Sequence, residues 1–276
     1  MKITFLGTGT STGIPTIGVD RPVCKSEDSK DIRLRSSILI NVEQKNILID
    51  CSPDFRQQML KNNFSKIDAI LFTHEHSDHT AGLDDVRPIS FKYGKIPLFG
   101  KKRVLKKLEK RFDYLFDNSG GYTGSPHVYS NKVKKNTDFK IDDLVLKPIS
   151  YMHHKLQVFG YRLFNFAYIT DLKTIKDNEL KKLMNLDCLV LNALRHKEHY
   201  SHINLNQAIE MIEILKPKTT YLTHIAPDMG FHAETEKLLP ENVYLAYDGL
   251  QVVIDQYLSF IHFKNEFKLS MFTPCP

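Results

Sequence analysis

Short apolar runs separated by polar turns dominate the beginning of the chain. Because these runs are rich in β-branched residues and too short for helices, they predict strands at 2–6, 36–42, 45–50 and 67–73. Two other stretches carry apolar residues at helical spacing. They predict helices over 53–63, which starts with a Pro after the capping-type residue Ser52, and over 101–112.

The same pattern begins again near residue 143. Strands are predicted at 143–150, 159–164, 166–170, 187–192, 219–224 and 243–248, and helices at 204–216 and 232–239. Strands outnumber helices, and helices occur in both halves of the chain. The pattern predicts an α/β protein with one domain over 1–276, made of two similar halves, roughly 1–115 and 140–260. Each half would give a mixed sheet with helices packed outside it.

The predicted helix at 101–111 contains seven Lys and Arg residues over a stripe of Val and Leu. One interpretation is a solvated outer face, which is usual for surface helices. The other is a basic surface that attracts a phosphate-bearing substrate. The sequence leaves both interpretations open.

Composition places the chain among globular proteins. It is 42% hydrophobic and 25% charged, and no apolar run approaches the roughly 18–20 residues of a membrane span. The four cysteines are scattered without a C-x-x-C pair, which indicates a reducing compartment, and the N-terminus lacks a signal-peptide pattern. We therefore expect a cytoplasmic protein. The net charge of +6 suits an anionic substrate and is too small to indicate nucleic-acid binding by itself.

The clearest chemical signal is the stretch THEHSDHTAG at 73–82, directly after an apolar run. It places four ligand-type side chains, His74, His76, Asp78 and His79, within six positions. Such groups would repel or desolvate one another without a cation, so the stretch predicts a metal site. Further candidates stand where later apolar runs end: Asp171, His224 and the adjacent pair His153 and His154.

Residues 74–79, HEHSDH, match the H-x-H-x-D-H signature of the metallo-β-lactamase superfamily, and the chain resembles that family of αββα hydrolases over nearly its whole length. The segments TFLGTGTSTGIP, ILIDCSPDF, YITD, LTH and AYDG occur in family order. HHKLQVFGY and SHINLN are similar to the phosphoribosyl 1,2-cyclic phosphate phosphodiesterase branch, and ribonuclease Z is a more distant relative. The resemblance implies a four-layer αββα sandwich of two mixed sheets with helices outside.

The resemblance also implies a set of metal ligands. One ion would be held by His74, His76 and His153 and a second by Asp78, His79 and His224, with Asp171 bridging them. Alignment on Lys155 and Leu156 favours His153, whereas counting back from Gly160 favours His154; we take His153. Asp50 and Asp248 would orient ligand histidines or loops rather than bind metal.

A dinuclear hydrolase follows from this resemblance. Two divalent cations about 3.5–4 Å apart would generate a bridging hydroxide and neutralise charge in a displacement at phosphorus. Asp78 is counted among the catalytic residues, and His202 would protonate the leaving group, for which an unperturbed pKa near 6.5 is suitable. Read by itself, His202 is also compatible with an ordinary loop position.

One family feature is missing from the sequence. The branch often carries a structural zinc on a C-x-C-x-x-C stretch and a later histidine. Here Val19, Arg21 and Pro227 stand at three of those four positions, and only Cys24 is left. One thiol cannot complete a tetrahedral site, so we expect no third, structural zinc.

Several functions remain open at this stage. A small cyclic or nucleotide-like phosphodiester is the expected substrate, with zinc, manganese or iron as the metal and no membrane partner. A tRNA 3′-processing endonuclease is less favoured, because no insertion is an obvious tRNA-gripping arm, and 118–136 is only the nearest candidate. Thioester or lactone hydrolysis and a non-catalytic binding role are further alternatives. The tail at 270–276 is either a free end or part of a homodimer contact.

Overall fold

The computed structural model describes residues 1–116 and 128–255. Its strands are β1 (Lys2–Gly7), β2 (Ser37–Val42), β3 (Lys45–Ile49), β4 (Ala69–Leu71), β5 (Ile96–Lys101), β6 (Val128–Val133), β7 (Phe139–Ile141), β8 (Leu144–His153), β9 (Leu156–Leu163), β10 (Phe166–Ile169), β11 (Cys188–Asn192), β12 (Thr219–Thr223), β13 (Val243–Leu245) and β14 (Gln251–Val253). The α-helices are α1 (Phe55–Lys61), α2 (Ser77–Thr80), α3 (Arg87–Tyr93), α4 (Lys102–Arg111), α5 (Asp113–Phe116), α6 (Asp177–Leu180), α7 (Leu205–Leu215) and α8 (His232–Glu236).

The described strands form two seven-stranded mixed sheets with related topologies. The first has the order β14-β1-β2-β3-β4-β5-β6 and the second β13-β12-β11-β10-β9-β8-β7. Along the chain, each sheet begins with antiparallel pairs and continues with parallel ones. In the first sheet, for example, β2–β3 is antiparallel and β3–β4 is parallel. β14, from the predicted second half, pairs with β1 and so lies in the first sheet.

Alternation along the strands produces three apolar layers. In β2, Ile38 and Ile40 point into the core between the two sheets, whereas Leu39 between them lies in the core under α1, α3 and α4. On the other side, Leu205 and Ala208 of α7 pack with residues of the second sheet. The layers are therefore helix, sheet, sheet and helix, which confirms the predicted αββα fold.

The predicted elements are present, and the differences have local causes. α7 begins as the sequence suggests, because the Asn204 side chain accepts a hydrogen bond from the Gln207 amide at 2.9 Å and completes a capping box. The strands that the pattern missed are β5, β6, β7 and β14. β5 contains Pro97 and Gly100, which weaken the strand signal, and β7 and β14 have only three residues each.

Two expectations fall outside the described residues: the tail at 270–276, and most of the candidate tRNA arm, residues 118–127. Within 1–116 and 128–255, no helix has both the length and the apolar composition to cross a membrane.

Candidate metal centre

The centre lies where strands of both sheets end. Asp50 follows β3, Asp171 follows β10 and His224 follows β12, and all three adopt left-handed backbone conformations with φ of 62°, 59° and 59°. Non-glycine residues rarely adopt this conformation, and such strain concentrates at functional sites. The backbone therefore turns sharply at each strand end and directs a polar side chain into one buried cluster.

The sequence motif bends into this cluster after β4. His74 and His76 precede α2, and His79 lies inside that short helix. Ligand-type atoms converge within 4.8 Å in two groups that match the expected ligand sets: His74, His76 and His153, and Asp78, His79 and His224. Asp171 joins His74 and His79 in a third such group. The structure thus brings together all seven residues that the sequence selected as ligands.

Asp50 orients His79, a fully buried histidine of the motif. Its Oδ2 lies 2.7 Å from His79 Nδ1, and the Thr73 amide and hydroxyl each donate to its carboxylate at 2.8 Å. A histidine that donates from Nδ1 presents Nε2 to the cluster, an arrangement common behind metal-binding histidines. Asp50 is therefore a positioning residue, as expected.

The structure distinguishes between the two adjacent histidines. His153 is the last residue of β8, is only 8% exposed, and donates from Nδ1 to the Ser201 carbonyl at 3.0 Å. His154 is exposed and lies in the turn after β8 with φ of 51°. His153 thus presents Nε2 to the cluster, whereas His154 lies outside it.

The cluster has the chemistry of a cation site. His79 Nε2 lies 3.1 Å from carboxylate oxygens of both Asp78 and Asp171, and His224 Nε2 lies 3.3 Å from Asp171. Both Nε2 atoms are buried without a hydrogen-bond partner. Buried imidazole nitrogens and carboxylates that converge without other partners are suitable ligands for a divalent ion such as zinc.

The electrostatics of the cluster also require positive charge. Burial would raise the pKa of Asp171, but the neighbouring His224 and His79 outweigh it and hold that pKa well below its ordinary value. Burial alone would lower the pKa of His79, yet Asp78, Asp171 and Asp50 raise it well above the ordinary range. A cation among these carboxylates is therefore strongly favoured.

His202 lies beside the cluster. Its Nδ1 is 3.7 Å from Asp171 Oδ1, and its ring centroid is 4.6 Å from that of His153. Burial lowers the pKa of His202 to about 3, against the opposing effect of Asp171. This pKa is well below the unperturbed value of about 6.5 assumed from the sequence. The free imidazole is therefore neutral at pH 7.

Two residues that the sequence did not single out, Thr73 and Asn192, support the cluster. Thr73 links Asp50 to His74, because its hydroxyl lies 2.8 Å from Asp50 Oδ2 and 3.0 Å from His74 Nδ1. Asn192 holds both backbone polar groups of Leu172, next to Asp171. Thr73 begins the THEHSDH stretch, so its place there was a usable signal. The sequence contains no such signal for Asn192, because its contact with Leu172 spans 20 residues.

The basic helix α4 contacts the metal motif directly. Glu75, whose side chain is only 5% exposed, lies 2.9 Å from both Arg103 Nε and Lys107 Nζ. Arg111 donates to the Ser77 hydroxyl at 3.3 Å. Burial would raise the pKa of Glu75, but Lys107 and Arg103 hold it below its ordinary value. Part of this basic face therefore binds the His74–His79 segment.

Two other predicted features have structural roles. Asp248 accepts from the Thr8 hydroxyl at 2.7 Å and the Leu34 amide at 2.6 Å, so it fixes loops rather than a ligand histidine. Arg21, one of the three residues that replace ligands of the expected structural-zinc motif, forms an ion pair with Asp228 at 2.8 Å. This ion pair connects the loop after β1 to the segment after β12.

A cavity of about 550 Å³ opens onto the cluster. Its lining includes His76, Asp78, His153, Asp171, His202 and His224. Hydroxyl side chains of Thr10, Ser11, Thr12 and Thr16, together with Arg21 and Tyr200, complete much of the remaining wall. The volume is that of a small-molecule site.

The fold and this cluster define a metal-dependent hydrolase of the metallo-β-lactamase fold. A family model for the beta-lactamase superfamily domain matches residues 45–225, and the chain belongs to that superfamily. The crystal structure of a diphosphatase from the PhnP family superposes with a TM-score of 0.85 at 39% identity, over 92% of this chain and 98% of that one.

Curated relatives cover the chain less evenly. An octanoyltransferase of Porphyromonas gingivalis is 39% identical over 258 residues, which is 93% of this chain and 52% of that protein. A ribonuclease Z of Bacillus licheniformis is 30% identical over 168 residues, 59% of this chain and 48% of that enzyme. The chain thus spans about half the length of these curated relatives.

Proposed function

We propose that this chain is a dinuclear metal-dependent phosphodiesterase for a small nucleotide-like or cyclic phosphodiester. The observation that carries the proposal is the pair of converging ligand groups with Asp171 between them, open to a cavity of small-molecule size. The similarity to a PhnP-family diphosphatase supports chemistry at phosphorus.

The ligand groups divide into two sites. His74, His76 and His153 would hold one ion, and Asp78, His79 and His224 the other. Asp171 would bridge, because it shares one ligand group with His74 of the first site and His79 of the second, and another group with His153 of the first site. When bound, a pair of divalent cations supplies the activated water and neutralises charge in an in-line displacement. Ligands of this type accept zinc, manganese or iron.

The remaining residues bind the substrate and move protons. His202 is neutral in the free protein because it is buried. A phosphodiester anion beside it would raise its pKa, since an adjacent negative charge favours the imidazolium. His202 is placed to protonate the leaving alkoxide, since it lines the cavity beside Asp171. Arg21 gives the cavity wall a positive charge, although Asp228 partly offsets it.

Other activities have weaker support. The octanoyltransferase name belongs to a protein that this chain covers only in half, and a cluster of histidines and carboxylates is suited to hydrolysis. Ribonuclease activity would need a tRNA-binding surface, for which α4 is a poor candidate, since Arg103, Lys107 and Arg111 contact residues 75 and 77. A cytoplasmic location is part of the proposal, supported by the free thiols of Cys24, Cys51 and Cys188.

The first experiment measures metal content and turnover together. The protein is stripped, reloaded with Zn²⁺ or Mn²⁺, and assayed with bis(p-nitrophenyl) phosphate and with an octanoyl thioester. We expect two ions per chain and metal-dependent hydrolysis of the diester. Asp171→Ala should lose at least about a hundredfold in turnover, because losing a ligand costs more than losing a residue behind one.

Asp143→Ala is the matched control, because Asp143 is exposed in the turn before β8. It should keep both the metal content and the rate. Two bound ions with hydrolysis of the thioester alone would replace the phosphodiesterase proposal with acyl hydrolysis. Fewer than two ions in the wild-type protein would contradict the dinuclear site.

A further inference from the structure

An exposed tyrosine lies at the cavity. Tyr200 is 71% exposed, yet its side chain lines the same cavity as His199 and His202. Single exposed aromatic residues are ordinary on protein surfaces. Tyr200 differs from them because it borders the candidate active site and contributes little to any core.

Two histidine rings contact Tyr200. The His154 ring meets it edge-on, with centroids 5.5 Å apart and an interplanar angle of 88°, and the His199 ring lies at 4.4 Å with an angle of 36°. His199 is itself held by Ser201, whose hydroxyl lies 3.1 Å from His199 Nδ1. Within the described residues, neither His154 nor His199 belongs to a metal-ligand group. We name Tyr200, His154 and His199 the aromatic platform.

Ser201, the residue after Tyr200, connects the platform to the metal cluster. The carbonyl of Ser201, adjacent to Tyr200, accepts the Nδ1 hydrogen bond that orients His153. His202, the residue after that, contacts Asp171. A diester with its phosphorus at the cluster can therefore extend one substituent towards Tyr200. His154, the alternative ligand by sequence position, thus has another role in the platform.

We propose that the aromatic platform stacks a planar heteroaromatic ring of the substrate, so that the substrate class is a nucleotide-type phosphodiester rather than a cyclic sugar phosphate. The inference rests on the proposed function for the position of the phosphorus. Aromatic side chains bind nucleobases by stacking, and this interaction tolerates any base because every base has a π face. The tyrosine is preorganised by its two histidine neighbours, which reduces the ordering cost of binding.

Calorimetry on the zinc-loaded chain tests the platform without requiring turnover. Adenosine 5′-monophosphate and ribose 5-phosphate carry the same phosphate and sugar, but only the first has a ring to stack. We expect the nucleotide to bind about tenfold more tightly, within the range found for one stacked base. Tyr200→Ala should remove this preference and leave ribose 5-phosphate binding unchanged, whereas Tyr200→Phe should retain the preference.

Tyr129→Ala is the matched control, since Tyr129 is a 47% exposed tyrosine on β6 that does not line the cavity. It should keep the preference for the nucleotide. Equal affinity of the wild-type protein for the two ligands, or no nucleotide binding, would overturn the platform. So would a Tyr200→Ala variant that loses both ligands alike. Hydrolysis of bis(p-nitrophenyl) phosphate without a ring preference rejects the platform alone, whereas a ring preference without hydrolysis supports the platform and rejects the phosphodiesterase.

Discussion

The carboxylate of Asp50 determines which nitrogen of His79 is available to a metal. It accepts three hydrogen bonds at 2.7–2.8 Å from His79 and Thr73 while fully buried. Burial raises the pKa of Asp50, and His79 acts against that rise. An amide in its place would offer one acceptor oxygen instead of two and would set a donor against either Thr73 or His79.

Asp50→Asn should therefore weaken metal binding without removing a ligand. We expect about a 10–100-fold loss in affinity for the ion that His79 would hold, as for other residues behind metal-binding histidines. Competition with a chromophoric chelator measures this metal affinity. Asp248→Asn is the comparison, because Asp248 is also a buried carboxylate but holds Thr8 and Leu34 instead of a histidine. Equal losses in both variants would contradict the orienting role of Asp50.

At the scale of elements, α4 supports the metal motif as well as covering a sheet. Val104, Leu105 and Leu108 fill the outer core, as the apolar stripe indicates. On another face of the helix, Arg103 binds the buried Glu75 carboxylate with two nitrogens at 2.9 and 3.0 Å. Nη2 donates a hydrogen bond to Glu75 Oε2, and the ion pair through Nε adds to the neutralisation of the carboxylate. The contact with Arg103 holds Glu75, which lies between His74 and His76 in the motif.

Arg103→Ala should loosen the segment between β4 and α2. We expect about a tenfold loss of metal affinity and about 1–3 kcal/mol of stability, because the buried Glu75 carboxylate loses one of its two cationic partners. Lys106→Ala removes an exposed charge from the same helix and should change stability by less than about 0.5 kcal/mol. Competition with a chelator measures the metal affinity of both variants, and urea unfolding measures their stability. Indistinguishable variants would mean that α4 acts through its apolar face alone.

The sequence predicts much of the site because the ligand-type residues stand where apolar runs end. Parallel strands of one sheet end at the same edge, and β10, β11 and β12 pair in parallel, which brings Asp171 and His224 together. The choice between His153 and His154 depended on the β8–β9 turn, whose left-handed residue is His154. The contact of Arg103 with Glu75 spans 28 residues and belongs to tertiary packing. Periodicity carries no record of such contacts.

At the scale of the whole molecule, several histidines are buried in their neutral form. Burial lowers the pKa of His74 well below its ordinary value, that of His202 to about 3 and that of His232 to about 4. Between about pH 4 and 6.5 the unfolded chain protonates these imidazoles and the folded chain does not. These three imidazoles therefore make stability fall as the pH is lowered through this window. The raised pKa values of Asp248, about 6, and of Asp50 act in the opposite direction and offset part of that fall. The depressed carboxylate pKa values, as in Asp171, act below pH 4, and the raised pKa of His79 acts above 6.5.

His232 allows this linkage to be tested away from the metal cluster. Its Nδ1 lies 3.0 Å from Arg33 Nη2, and it belongs to none of the metal-ligand groups among the described residues. In chelator-treated protein, urea unfolding should give a free energy that declines from pH 6.5 to 4.5. His232→Gln retains an acceptor for Arg33 but cannot be protonated. The free energy of unfolding of this variant should decline less steeply with falling pH than that of the wild-type protein. The slopes should differ by up to about 1.4 kcal/mol per pH unit, the value for one proton. Equal slopes would show that His232 binds its proton as readily in the folded chain as in the unfolded one, and that burial beside Arg33 does not keep it neutral.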